Sequence, residues 1–254
     1  MIFKWVVLWS LLIISLEAKK IVVDYVVEFG VIGQVGKVHT LYSDDNAHYI
    51  IDTNLSAVGM LAQKMTHHLK ERHICKGFIS KDGTRVVTRY QMIKSYGKYK
   101  STTIYKVNHQ SKKVTKQYIK WEKRDKGKDK KILDYTYTLG YYARSDMVTL
   151  FLNLDHYIQH KNKPKHYIFK AVGADREKGR VDVRIPRKKE TMMMKSLLGV
   201  PKNGEWLMNL VMHRQLYHSK KGELMVRMGK DGIVQKAVLK DILFFGDIRI
   251  IKKN

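Results

Sequence analysis

The chain has 254 residues, 49 Lys and Arg against 23 Asp and Glu, a formal net charge of +26 and a single cysteine, Cys75. One cysteine excludes an intramolecular disulfide and a cysteine-based structural zinc site. The basic excess favours anionic partners, but 37 of the basic residues are lysine and 12 arginine; that balance suits solvated surface charge better than bidentate phosphate recognition.

Residues 1–18 (MIFKWVVLWSLLIISLEA) place Lys4 before a charge-free run from Trp5 to Leu16, and Ala18 offers a small residue for cleavage. The pattern predicts a secretory signal peptide. A twelve-residue run rises only about 18 Å as a helix against a hydrocarbon core of roughly 30 Å, too short for a comfortable span. The alternative is an uncleaved anchor, since Leu16 is not the preferred small residue three positions before the cut. No later stretch is apolar enough to span, so residues 19–254 are expected to form a single exported β-rich domain with no transmembrane span.

Ile21–Phe29, Lys37–Ser43 and His48–Thr53 read as a meander of β-branched and aromatic residues, with Gly30, Gly33 and Gly36 and then Ser43–Asn46 at the turns. Val58, Leu61, Ala62 and Met65 fall at helical spacing, predicting a short helix or helical turn within 55–65. Strands resume over Leu69–Phe78 and Thr84–Met92 around Lys81-Asp82-Gly83, then over Thr102–Val107 and Val114–Trp121. Residues 123–131 (KRDKGKDKK) are a flexible tip or a boundary between two lobes. Met147, Leu150, Phe151 and Leu154 share a face in the clearest helix, Asp146–His156, with Asp146 or Ser145 as its cap. Later strands are expected at 165–173, 180–185, 206–217 and 223–228, and Ile233–Phe245 reads as one long final strand.

The phrases DMVTLFLNL (146–154), AVGADREKGRVDVRIP (171–186), KKGEL (220–224) and KAVLKDILFFGDIR (236–249), with VVDYVVEFGVIGQVGK after the leader, together resemble the domain-of-unknown-function family 3108 of exported bacterial proteins. The resemblance covers residues 21–250. It implies an antiparallel β-roll or half-open barrel with one or two helices packed against it, and a place in the cell envelope, in the periplasm or at a membrane surface. It transfers no catalytic residue and no cofactor.

Among candidate chemistries, His156 and His160 lie four apart at the end of a helix and are weak metal-ligand candidates lacking two further ligands. His67, His68 and His73 read as a surface-facing run. Asp182, Glu223, Asp241 and Asp247 are carboxylates that would serve a hydrolase only if they converged. Nucleophile elbows, a Walker loop and an H-E-x-x-H motif are absent from the sequence, and no catalytic residue is assigned. Gly30-x-x-Gly33-x-x-Gly36 joins two strands rather than a strand and a helix, so it marks turn or bulge chemistry and not a dinucleotide site.

Two stretches are ligand-binding candidates. Lys112–Lys131 holds ten Lys/Arg in twenty residues, with Lys112, Lys113, Lys116, Tyr118, Lys120 and Trp121 as the residues in question. Anionic head groups suit such a stretch in an exported protein better than nucleic acid does, and a solvated hairpin is the plainer reading. Thr191–Pro201 packs Met192, Met193 and Met194 beside two leucines, as a core plug filling the concave side of the roll or as a flap over a lipid-like ligand. The sequence thus leads to an envelope binding, carrier or scaffold protein for an apolar or anionic component, with anionic lipid, glycolipid or another envelope protein as partner. An envelope hydrolase whose site assembles only in the fold is the alternative.

Overall fold

The computed structural model describes residues 19–30, 32–124, 127–174, 177–211, 223–242 and 246–253, the side chains of 241–242 excepted. The expected leader, residues 1–18, and parts of the 123–131, 171–186, 206–217 and 220–224 stretches lie outside this set. Eight strands follow as a meander: β1 (Lys19–Phe29), β2 (Gly33–Asp44), β3 (His48–Ala57), β4 (Lys70–Ile79), β5 (Arg85–Tyr96), β6 (Tyr99–Asn108), β7 (Lys113–Glu122) and β8 (Lys130–Thr138). The second half supplies β9 (Ser145–Asp146), β10 (Lys165–Val172), β11 (Arg180–Ile185), β12 (Trp206–Val211), β13 (Glu223–Met228), β14 (Val234–Ile242) and β15 (Gly246–Lys252). The helices are α1 (Met60–Met65), α2 (Met147–Tyr157) and α3 (Lys188–Leu198).

Among the described residues fifteen strands join one sheet, ordered β8-β7-β6-β5-β4-β3-β2-β1-β15-β14-β13-β12-β11-β10-β9. Every pairing is antiparallel except the short β9–β10 contact. The first strand pairs the last, Tyr25 opposite Lys252 and Phe29 opposite Ile248, so the two halves are stitched at β1–β15. The chain leaving β8 then crosses the inner face: the Leu139 N–H donates to Val114 O at 2.8 Å, and the Val87 N–H donates to Arg144 O at 2.9 Å. A sheet whose one end folds back over its own middle is a half-open β-roll.

Period-two alternation sets the faces. Cross-strand neighbours Tyr42, Ile51, Cys75, Tyr90 and Tyr105 line one row of the inner face, and all are buried. In the second half Met208, Val226 and Ala237 do the same. Helix α2 lies on this face and joins two cores, with Leu150 and Leu154 in the second-half cluster and Val148 and Leu152 against the first-half cluster. Helix α3 sits on the opposite face, where Met194 and Leu198 pack on Leu207, Met225 and Val238.

Two expectations change, for the methionine tract and for the end of the chain. The stretch around Met192–Met194 is a regular helix on the convex side, neither a flap nor a plug of the concavity; Met194 is fully buried while Met192 is 63% exposed. Helix α1 falls within the expected 55–65 stretch; it is six residues long and buries Ala62 alone, leaving Leu61 and Met65 half exposed. His67 and His68 are exposed, as expected, and both have positive φ in the turn that returns α1 to β4. The strand expected over Ile233–Phe245 is β14, Val234–Ile242, but it is not the last: β15 follows from Gly246 and pairs antiparallel with it, with a register shift between Leu239 and Ile242. The charged stretch 123–131 connects β7 to its hydrogen-bonded neighbour β8, which begins at Lys130.

Candidate functional site: an apolar cavity under helix α2

Helix α2 is fixed to the sheet by polar contacts at its first turns. Asp146 is fully buried, and its Oδ1 accepts the N–H groups of Val148 (2.8 Å) and Thr149 (3.1 Å). The Cys75 thiol donates to the same oxygen at 3.1 Å, and Tyr49 Oη meets Thr149 Oγ1 at 3.1 Å. One turn on, the Asn153 amide brackets the start of β5, accepting the Arg85 N–H at 3.0 Å and donating to Arg85 O at 2.8 Å. An unsatisfied buried carboxylate or amide would be costly, so each contact also specifies where the helix sits.

Pinned at that end, the helix stands off the sheet along its other flank. Between them is a cavity of about 550 Å³, within the roughly 300–1,000 Å³ range of small-molecule sites. Its floor is the inner face of β1–β5, including Val23, Val38 and Ile51, and its roof is Met147, Phe151 and Leu152 of α2. The turn carrying Asp231 and Gly232 and the strands on either side of the β1–β15 seam close its far wall.

The polar groups on the walls are mostly committed to one another. His73 Nδ1 lies 2.7 Å from Tyr90 Oη, and Thr40 and Thr53 share a hydrogen bond of 3.0 Å. Tyr42 donates to Asp44 at 2.5 Å and accepts from Arg85 Nε at 2.9 Å; burial first, then the Asp44 contact, pushes its phenol up to about 12. Burial holds the His73 imidazole below its ordinary value and raises the Cys75 thiol well above its own. Burial, with Asp231 adding to it, likewise raises Tyr25. These groups are neutral at pH 7, and a thiol so protonated is a poor nucleophile. The arrangement favours burying an apolar group.

The predicted site residues are placed elsewhere. Lys116, Tyr118 and Lys120 share the inner face of β7, and Trp121 lies on the opposite face, opposite Lys100. Lys112 and Lys113 are exposed at the β6–β7 turn, where Lys112 has φ 49°. His156 is exposed at the end of α2, edge-on to Tyr157, and His160 is exposed beyond it. Among the described residues no group of three or more His, Cys, Asp or Glu side chains could hold a metal ion. His73, read as surface-facing, is instead a cavity-wall residue, because position 73 shares a face with Cys75.

The carboxylates divide in the same way. Asp182 binds Arg180 (2.7 Å) and His166 (2.5 Å), and Arg180 first of all holds it below the usual carboxylate range. Glu223 meets Arg184 at 3.4 Å. Both stand opposite Val211 from its two sides, on the face away from the cavity. The Asp241 side chain is outside the described set. Sequence reasoning missed the cavity itself; the available signal was the run of inner-facing positions on β1–β3, more apolar than one helix could cover.

A curved antiparallel sheet with a helix held inside it over an apolar cavity defines the class of protein. No family model and no curated protein matches the chain. Among solved structures, it is similar to the β-barrel-like protein of domain of unknown function DUF1849 from Brucella abortus, at 11% identity and a TM-score of 0.48, over 92% of this chain and 95% of that one. Among the described residues no helix is long and apolar enough to cross a membrane.

Proposed function

We propose that this chain is an exported envelope protein of the kind represented by the domain-of-unknown-function family 3108, and that it binds or carries an apolar chain in the cavity under α2. The observation that carries the reading is the cavity: about 550 Å³, floored and roofed by aliphatic and aromatic side chains, in a sheet otherwise packed on both faces of its second half. An apolar void of this size costs packing energy that an occupant would return. The leader pattern of residues 1–18 supports export, and the quoted family phrases support an envelope setting.

The test is uptake of an environment-sensitive apolar probe, N-phenyl-1-naphthylamine, by purified protein, with displacement by fatty acids of increasing length. Saturable uptake that Val38→Trp abolishes without lowering Tm supports the reading. Uptake unchanged in that variant, or none at all, removes it.

A further inference from the structure

The inner face does not end at the cavity. Tyr105, a cavity-lining residue, lies beneath Lys116, whose Nζ is 5.7 Å from that ring centroid and 5.5 Å from the Tyr137 ring. Lys120 sits 4.1 Å from the Tyr99 centroid and 6.0 Å from that of Tyr96. On the same face Tyr118 packs against Tyr135 at 5.3 Å, and Tyr135 stacks on Tyr137 at 6.0 Å. Leu133, Tyr135 and Tyr137 of the edge strand β8 are 47%, 45% and 41% exposed. Two further lysines of the region are neutralised, Lys94 by Glu71 and Lys98 by Glu122. Lys116 and Lys120 have no carboxylate partner among the described residues.

We infer that the inner face of β7 and β8 docks onto an anionic bilayer surface. Exposed tyrosines beside lysines whose stems cross aromatic rings are the composition of a membrane interface: ring bodies enter the head-group layer and ammonium groups meet lipid phosphates. The charge on the face is uncompensated and the complement is an anion. The position matters as well, since the face runs through Tyr105 into the cavity wall and would bring the opening of the roll to the bilayer. This deepens the carrier reading by naming where the protein meets lipid, yet docking is measured without the cavity.

A protein of net charge +26 is attracted to any anionic membrane, so the test compares faces rather than charges. Flotation with vesicles of phosphatidylglycerol and phosphatidylcholine at 0.15 M salt, near which the Debye length is about 8 Å, uses three double variants. Lys116→Gln with Lys120→Gln, and Tyr135→Ser with Tyr137→Ser, are each expected to weaken binding about tenfold or more. Lys100→Gln with Lys106→Gln removes the same charge from the opposite face of β6 and is expected to bind as the parent does. Equal weakening by both lysine pairs overturns the proposal and leaves general basicity, as does parental binding by the tyrosine variant. N-phenyl-1-naphthylamine uptake on the same samples separates the two ideas. Uptake retained with docking lost in the β7–β8 variants supports the docking face, whereas vesicle docking without uptake in the parent removes the carrier reading alone.

Discussion

At the residue scale, two positions show how closely the inner face is specified. Gly77 lies where β4 shifts register against β5, and an added Cβ would come 1.9 Å from Val86 O and 2.8 Å from the Tyr49 ring. Neither the backbone carbonyl nor the fully buried Tyr49 can give way cheaply, so Gly77→Ala is expected to destabilise by about 3 kcal/mol, read by urea unfolding. His73 gives a pH signature. Burial depresses its pKa in the folded protein, so the unfolded chain takes up the proton first as the pH falls. The neutral imidazole therefore contributes fully above about pH 6.5, and that contribution is lost as the pH falls towards the folded-state value. Calorimetry of the parent should show Tm falling more steeply from pH 7 to pH 5 than His73→Gln does; parallel curves would contradict the buried, neutral assignment. His73 also shows what the sequence hides. Its neighbours Arg72 and Glu71 look like surface residues, and only the pairing of β4 with β5 turns position 73 inward.

At the scale of elements, the two long helices oppose each other across the sheet. Leu154 on α2 is fully buried in the second-half core, and Leu154→Ala is expected to cost about 2–5 kcal/mol in chemical unfolding. Met194→Ala on α3 should cost a similar amount, whereas Met192→Ala, two positions earlier and largely solvent-exposed, should stay within about 0.5 kcal/mol. Equal effects at 192 and 194 would contradict the orientation of α3. Helix α2 was legible because its apolar spacing and its Asp146 cap agree, and the bounds expected from sequence differ from those found by one residue. Helix α3 was not: Lys188, Lys189 and Glu190 precede a methionine run whose buried stripe is only Met194 and Leu198, too narrow to announce a face. The β14–β15 hairpin was missed for a comparable reason, since its apolar run continues to Phe245 without a strong turn pair before Gly246. Hairpins with explicit turn chemistry, such as Ser80–Thr84, where Asp82 accepts from the Thr84 N–H at 3.0 Å, were read at nearly their observed bounds.

At the scale of the whole molecule, fold class followed from alternation repeated along the chain, but the site did not. Each strand contributes one or two inner positions to the cavity, and no contiguous motif marks it. The candidates that did form contiguous runs, the basic stretch and the methionines, were each divided between two faces by strand or helix periodicity. What unites the inner positions is the pairing of β1 with β15, which brings the first and last strands together and leaves α2 spanning the seam above them. The central claim is that this space takes an apolar ligand. The most direct test is native mass spectrometry, with extraction of bound organics, on protein purified without detergent from the cells that produce it. The account predicts a stoichiometric apolar or amphiphilic adduct in the parent that is absent from Val38→Trp. A parent of bare polypeptide mass, remaining so after incubation with fatty acids, would contradict it.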